Sequence, residues 1–127
     1  MEIVVDFPGG QQVDAHLNGL TITTNQDGSA PTPFHLFLAS MGTCAGIYVL
    51  NFCLQRGIPT EGVRVVQRLG ANPISHMVEE VELEIQVPPS FPREYYDALV
   101  RSAQLCAVKK HLEKPPHFNI HTQVVQP

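Results

Sequence analysis

Two of the three cysteines lie where thiol chemistry is possible. Cys44 lies in the middle of a long apolar stretch, and Cys106 lies on the apolar stripe of a second helical segment. We expect both side chains to point toward the same interior. In such a pair one thiolate attacks a peroxide and becomes a sulfenic acid, and the second thiol condenses with it to a disulfide. Packing is the alternative for each residue, because free cysteine is a common small buried residue.

Cys53 is expected to differ from the other two cysteines. It follows Cys44 by nine residues, which is about half a turn away on a helix that rotates ~100° per residue. Cys53 therefore cannot reach Cys44 from the same helix, and we predict that it packs in the core.

The histidines and acidic residues form weaker patterns. The residues considered for a metal site are Cys44, Cys106, His35 and His111. They show neither the C-x-x-C nor the helical H-x-x-x-H spacing that is typical of zinc sites. His117 and His121 share a predicted strand face with polar neighbours, and the Glu80, Glu82 and Glu84 series is the polar face of another strand. We predict no metal site and no bound cofactor.

The N-terminal third is predicted to form a three-stranded antiparallel meander. Residues 2–7 alternate between apolar and polar, and Pro8 follows them. Residues 13–17 alternate again, Asn18-Gly19 is a strong hairpin signal, and Leu20 and Ile22 continue on the return strand.

The segment from Pro33 to Arg56 is predicted to be one long helix. His35, Tyr48 and the two thiols are its only ionisable groups before Arg56, and Gly57 marks its end. Its length and the Gly42-x-x-x-Gly46 spacing also fit a membrane span. The half-polar strands in the rest of the chain favour a central helix enclosed by sheet, packed on its own copy through the two glycines.

The second half of the chain is predicted to add a hairpin, a helix and a strand. One strand is predicted from the apolar residues Val63, Val65 and Leu69. A second strand is predicted over residues 77–87, which alternate between apolar and polar residues with glutamates on the outer face. Residues 90–112 form an amphipathic helix whose inward stripe is Tyr95, Leu99, Ala103 and Cys106. Residues 117–125 form the last strand. The order βββ–α–ββ–α–β predicts an α+β fold in a single domain over residues 1–127.

Composition excludes several classes of function. The chain has 127 residues, a net charge of −4 and no run of lysine or arginine longer than two residues. We therefore expect no nucleic-acid partner and no membrane partner. We expect no signal peptide at the start of the sequence, and three cysteines without an export signal predict reduced thiols in the cytoplasm.

Two cysteine motifs resemble those of the OsmC/Ohr family. They are PTPFHLFLASMGTCAG around Cys44 and LCAVKKHL around Cys106, where the family often has proline after the cysteine. The resemblance covers essentially the whole order of elements. It implies an intertwined homodimer in which sheets from both subunits enclose two long central helices. It also implies thiol-dependent reduction of hydroperoxides, especially organic ones, with Cys44 as peroxidatic thiol, Cys106 as resolving thiol and an external dithiol as reductant.

Two departures from the family pattern bear on activity. The family's peroxidases carry a glutamate where this chain has Phe34 and His35, and an arginine from the N-terminal region, whereas no lysine or arginine precedes Arg56 here. Burial without a cation raises the pKa of a thiol, so we expect a weak peroxidase. The alternative function is the binding of a small apolar ligand at the dimer-interface cavity.

Three other side chains near the cysteines in the sequence have two interpretations each. His35 is either a base or thiolate partner, or a helix-terminal residue bonded within its own subunit. Lys109 and Lys110 either lower the pKa of Cys106 or form a solvated helix face.

Overall fold

A computed structural model describes residues 1–126 and confirms the α+β class. The chain forms a meander, a long helix, a hairpin and two short helices in that order. The elements are β1 (Val4–Gly9), β2 (Gln12–Leu17), β3 (Leu20–Thr24), α1 (Pro33–Gln55), β4 (Arg64–Ala71), β5 (Val78–Gln86), a 3-10 turn (Arg93–Tyr95), α2 (Tyr96–Ala103) and α3 (Ala107–Glu113).

The N-terminal meander is an antiparallel sheet in the order β1-β2-β3. Its second turn has positive φ at both Asn18 (49°) and Gly19 (77°), which is the type I′ geometry that this dipeptide favours. The sheet packs chiefly within itself. Its apolar face is therefore open, and Phe7 on that face is 79% exposed.

Helix α1 begins and ends at the predicted signals. The hydroxyl of Thr32 accepts a hydrogen bond from the backbone N–H of His35 at 3.1 Å, and Pro33 occupies the first turn. Gly57 has a φ of 62° just past the helix, and the N–H of Ile58 donates to the carbonyl of Cys53 at 2.9 Å.

One face of α1 forms the core, and the other is exposed. The buried cluster consists of Val49, Phe52, Cys53, Phe91 and Leu99, with the hairpin and α2 packed around it. On the opposite side Ile47 and Leu54 are exposed, Leu54 by 65%. Helix α1 is long and apolar enough to span a membrane by length and composition, and in this structure one of its faces packs against β4, α2 and α3.

Strands β4 and β5 form a separate antiparallel hairpin that packs on α1. The predicted alternation is confirmed in the second half of β5, because Leu83 and Ile85 are half-buried while Arg68 bridges Glu82 and Glu84 on the outer face at 2.8 and 3.3 Å. Met77 and Val81, which were also predicted to face inward, are 67% and 41% exposed.

Gly42 is covered by a side chain of its own subunit, and the packing of α1 on a second copy stays a prediction. A Cβ at this position would lie 2.5 Å from Oε1 of Gln67, whose Nε2 donates to the carbonyl of Leu38. Gly46 faces open space.

The single helix predicted over residues 90–112 is divided at Cys106. The backbone of Cys106 is extended, with φ −49° and ψ 124°, so α2 ends before it and α3 starts after it. The four residues predicted to face inward still do so despite this break, because Leu99 and Cys106 are buried and Tyr95 and Ala103 are half-buried.

The strand predicted over residues 117–125 does not form within the part of the chain that the structure describes. The segment after Glu113 has no regular secondary structure, and Ile120 is 90% exposed. A strand requires the edge of another strand for its backbone hydrogen bonds, and no sheet edge of the described residues pairs with this segment.

Candidate functional site

Cys44 and Cys106 lie together where the middle of α1 meets the start of α3. Cys44 is half-buried on α1, beside the buried residues Met41 and Ala45. Cys106 is buried at the N-cap of α3. The two side chains are close enough for the Cys106 thiol to lower the pKa of Cys44, and no disulfide joins them. The structure therefore brings together the two thiols that the sequence indicates.

The environment of Cys44 favours its thiolate. The backbone N–H of Val108 lowers the pKa of Cys44 most, the Cys106 thiol adds to this, and the N–H of Ala107 adds a smaller effect. Burial acts in the opposite direction but is outweighed. The first N–H groups of a helix have no partners within the helix, and the extended backbone of Cys106 leaves those of α3 near the sulfur. The pKa of Cys44 is thus lowered, contrary to our expectation from burial alone.

The pKa of Cys106 is shifted in the opposite direction, upward. Burial raises its pKa most, its hydrogen bond to Cys44 raises it further, and repulsion by the Cys44 thiolate adds to the same effect. Backbone N–H groups of Lys109 and Val108 oppose these effects only in part. Of the two thiols, Cys44 is therefore the one that ionises first as the pH rises.

An apolar cavity of about 430 Å³ lies beside Cys106, between α1, the hairpin and the two short helices. Cys106 and Lys109 both line it, whereas Cys44 does not. Its apolar lining includes Met41, Val65, Leu83, Ile85, Val100 and Leu112. A cavity of this size and character can hold a small apolar molecule next to Cys106.

The other predicted residues lie away from the thiol pair. Cys53 is fully buried in the core, where burial raises its pKa. His35 is exposed in the first turn of α1, and nine residues of helix separate it from Cys44 by about 13 Å along the axis. Lys109 bridges Glu113 at 3.4 Å, and Lys110 is exposed, which is the pattern of a solvated helix face.

The basic side chains after the long helix are engaged elsewhere. The guanidinium of Arg56 lies 3.7 Å above the ring of Phe52, Arg64 donates to Gln86, and Arg68 pairs with glutamates of β5. None of them is among the groups that lower the pKa of Cys44. The compensating groups are backbone N–H groups, which every residue except proline carries and which no residue type in the sequence marks. The one available signal was the family's frequent proline at position 107, since proline favours the first position of a helix.

Comparison with known proteins agrees with this arrangement. A family model described as OsmC-like protein matches residues 26–121, which include both cysteines of the site. The chain belongs to the OsmC-like family. Proteins of this family are typically dimeric. A search of curated proteins finds no significant match.

Solved structures share the fold of this OsmC-like protein at low sequence identity. The OsmC-like protein from Mycoplasma pneumoniae superposes with a TM-score of 0.65 at 14% identity, covering 90% of this chain and 87% of that one. A protein from Psychrobacter arcticus, described as a putative osmotic stress induced and detoxification response protein, gives 0.65 at 22% identity, with 85% of each chain covered. The organic hydroperoxide resistance protein OhrB of Bacillus subtilis gives 0.50 at 15% identity, with 87% and 90% covered.

Proposed function

We propose that this OsmC-like protein is a two-cysteine thiol peroxidase that reduces organic hydroperoxides in an oxidative stress response. The observation that carries the proposal is that the pKa values of two neighbouring thiols are shifted in opposite directions, with that of Cys44 lowered and that of Cys106 raised. Family membership and the likeness to an organic hydroperoxide resistance protein favour the same substrate class. The proposed location is the cytoplasm, where thiols stay reduced.

The proposed reaction starts at Cys44. Its thiolate attacks one oxygen of the O–O bond, an S–O bond forms, and the alkoxide leaves and takes up a proton to become an alcohol. Cys106 then attacks the sulfenic sulfur of Cys44, so that a disulfide forms and water leaves. An external dithiol returns both thiols by disulfide exchange and is itself oxidised, which balances the two electrons given to the peroxide.

The site groups have separate tasks in this scheme. The N–H groups of Val108 and Ala107 hold the Cys44 thiolate before attack, because hydrogen bonds to the charged form favour it. The raised pKa of Cys106 keeps that thiol protonated, so that it donates to Cys44 until the sulfenic acid forms. The apolar cavity would hold the organic part of the peroxide.

We further propose that the working form is a homodimer. The exposed apolar face of the meander, with Phe7 and Leu20, and the exposed face of α1, with Ile47 and Leu54, are surfaces that a monomer would leave in water. Covering the helix of one subunit with the meander of its partner would bury both. The segment after Glu113 has an alternating sequence and would gain backbone partners at a sheet edge of the same assembly.

The experiment that tests the peroxidase is turnover of cumene hydroperoxide with a dithiol as reductant. We expect the wild type to be active, Cys44→Ser to be inactive, and Cys106→Ser to turn over more slowly, because the dithiol must then reduce the Cys44 sulfenic acid directly. Cys53→Ala is the matched control, because this cysteine lies in the core, and its activity should be retained.

The second candidate function, favoured by the 430 Å³ apolar cavity, is binding of a small apolar ligand without turnover. In that case the wild type would not consume the peroxide. A fluorescent apolar probe would bind equally to the wild type and to Cys44→Ser, and a bulky substitution in the cavity wall, such as Ala103→Phe, would displace it.

A further inference from the structure

The polar face of the N-terminal meander gathers three side chains that can bind a metal ion. Asp14 and His16 are two residues apart on β2 and so point to the same face. Asp6 on β1 is the register partner of Asp14. One ligand atom from each of the three lies within 4.8 Å of the others. Ligands that bind zinc at about 2.1 Å lie roughly 3 to 4 Å apart, so small side-chain movements close the site.

Asp14 is a buried carboxylate without a cationic partner. It is 9% exposed, its Oδ1 accepts a hydrogen bond from the neutral amide of Gln12 at 3.0 Å, and no salt bridge reaches it within residues 1–126. A second carboxylate, Asp6, lies directly across the strands, and like charges in that position are destabilising. Buried charges are normally paired or bind metals. A cation between the two aspartates would neutralise both.

His16 is held in the orientation that a metal ligand requires. Its Nδ1 lies 3.0 Å from the hydroxyl of Thr21 on β3, and its Nε2 lies 3.0 Å from Oδ2 of Asp6. Metal-binding histidines usually donate the N–H of one ring nitrogen to a neighbouring acceptor, which fixes the ring and leaves the other nitrogen for the metal. Here Thr21 can accept from Nδ1, and the ion would replace the proton that Nε2 shares with Asp6.

We propose that Asp6, Asp14 and His16 form a binding site for a divalent transition-metal ion such as Zn²⁺. Two carboxylate oxygens and one imidazole nitrogen are a donor set that zinc accepts, with a further position open to water. The site lies on the opposite side of the sheet from Phe7 and Ile22, which alternate with it along the strands. It therefore stays accessible when the apolar face is covered, and it does not rest on the proposed peroxidase.

The sequence prediction of no metal site considered only spacings along the chain. The two ligands on β2 are separated by a single residue, and the third comes from another strand through the register of the sheet. Cross-strand pairing, which no sequence motif marks here, brings them together.

The test is a calorimetric Zn²⁺ titration of the full chain carrying Cys44→Ser and Cys106→Ser, because thiols also bind zinc. We expect one ion per chain. His16→Gln or Asp14→Asn in this background should weaken binding at least tenfold, and Thr21→Val should weaken it about tenfold through loss of the ring's support. Asp27→Asn is the matched control, because this exposed aspartate lies in the loop before α1, and binding should be unchanged.

Two further readouts separate the site from nonspecific binding. With Co²⁺ in the same background, whose one remaining thiol, Cys53, is fully buried, the visible d–d bands should appear without thiolate-to-cobalt charge transfer and should be lost in His16→Gln. Zn²⁺ should also raise the melting temperature of the parent and not that of Asp14→Asn, as expected for a ligand that binds only the folded state. Absence of saturable binding, or binding that both substitutions leave unchanged in folded protein, would overturn the proposal.

Discussion

Replacing Val108 by proline should raise the pKa of Cys44, because proline lacks the N–H that lowers this pKa most. A hydrogen bond to a charged group contributes about 1.5–3 kcal/mol, and Cys44 is half-buried, so solvent replaces part of that. We assume that losing the Val108 N–H costs the thiolate about 1.4 kcal/mol of stabilisation after this replacement by solvent, which corresponds to about one pKa unit. Position 108 lies in the first turn of α3, where proline is tolerated.

The change in reactivity follows from this shift. At a pH well below both midpoints, one unit lowers the thiolate fraction about tenfold, while the more basic thiolate is about threefold more nucleophilic for a Brønsted slope of 0.4–0.5. The net rate of Cys44 alkylation on the low-pH side of the profile should therefore fall about threefold, and the rate at the high-pH plateau should rise about threefold. Iodoacetamide labelling across pH, read by peptide mass spectrometry, measures both at Cys44 alone.

Matched variants separate the lost hydrogen bond from a general effect of proline. Ala107→Pro removes the donor with the smallest effect, at the first position of the helix, and should shift the midpoint much less. Cys106→Ala should also raise the midpoint because it removes the second donor, whereas Cys106→Ser keeps a hydroxyl and should not. If Val108→Pro stays folded by circular dichroism and the Cys44 midpoint does not move, the backbone account of the lowered pKa is wrong.

Three further predictions concern assembly and the thiols. Light scattering at micromolar concentration should give about twice the chain mass of 14.0 kDa, and a mass near that of one chain would contradict the dimer. Mild peroxide should join Cys44 to Cys106 and leave Cys53 reduced, and peptide mapping that finds Cys53 in the bridge would reverse the assignment. His35→Glu should not increase peroxide turnover, because it adds a negative charge without the arginine that accompanies it in the family, and a faster variant in the coupled assay would argue against this.

Much of the fold could be predicted because the signals were local. The alternation of β5, the Asn18-Gly19 turn, and the threonine and glycine at the ends of α1 each determine structure within a few residues. The proximity of Cys44 and Cys106 could also be predicted, because helical periodicity places each of them on an inward face.

The features that could not be predicted depend on contacts between distant residues. The break at Cys106 has no proline or glycine to mark it, and its consequence is a pair of N–H groups aimed at another helix. Gly42 is covered by Gln67 from a strand 25 residues away. The grouping of Asp6 with Asp14 and His16 depends on sheet register. The segment after Glu113 was predicted as a strand from its alternation, but alternation gives a strand no partner.

The measurement that tests the central claim most directly is a single turnover with Cys106→Ser, which cannot form the disulfide between the two residues. The reduced variant is mixed with one equivalent of cumene hydroperoxide at neutral pH and then trapped with dimedone, which labels sulfenic acids. The account predicts one cumyl alcohol per chain and a dimedone adduct on Cys44, with none on Cys53. A variant that forms no alcohol, or that carries its adduct on Cys53, would contradict the assignment of Cys44 as the thiol that attacks the peroxide.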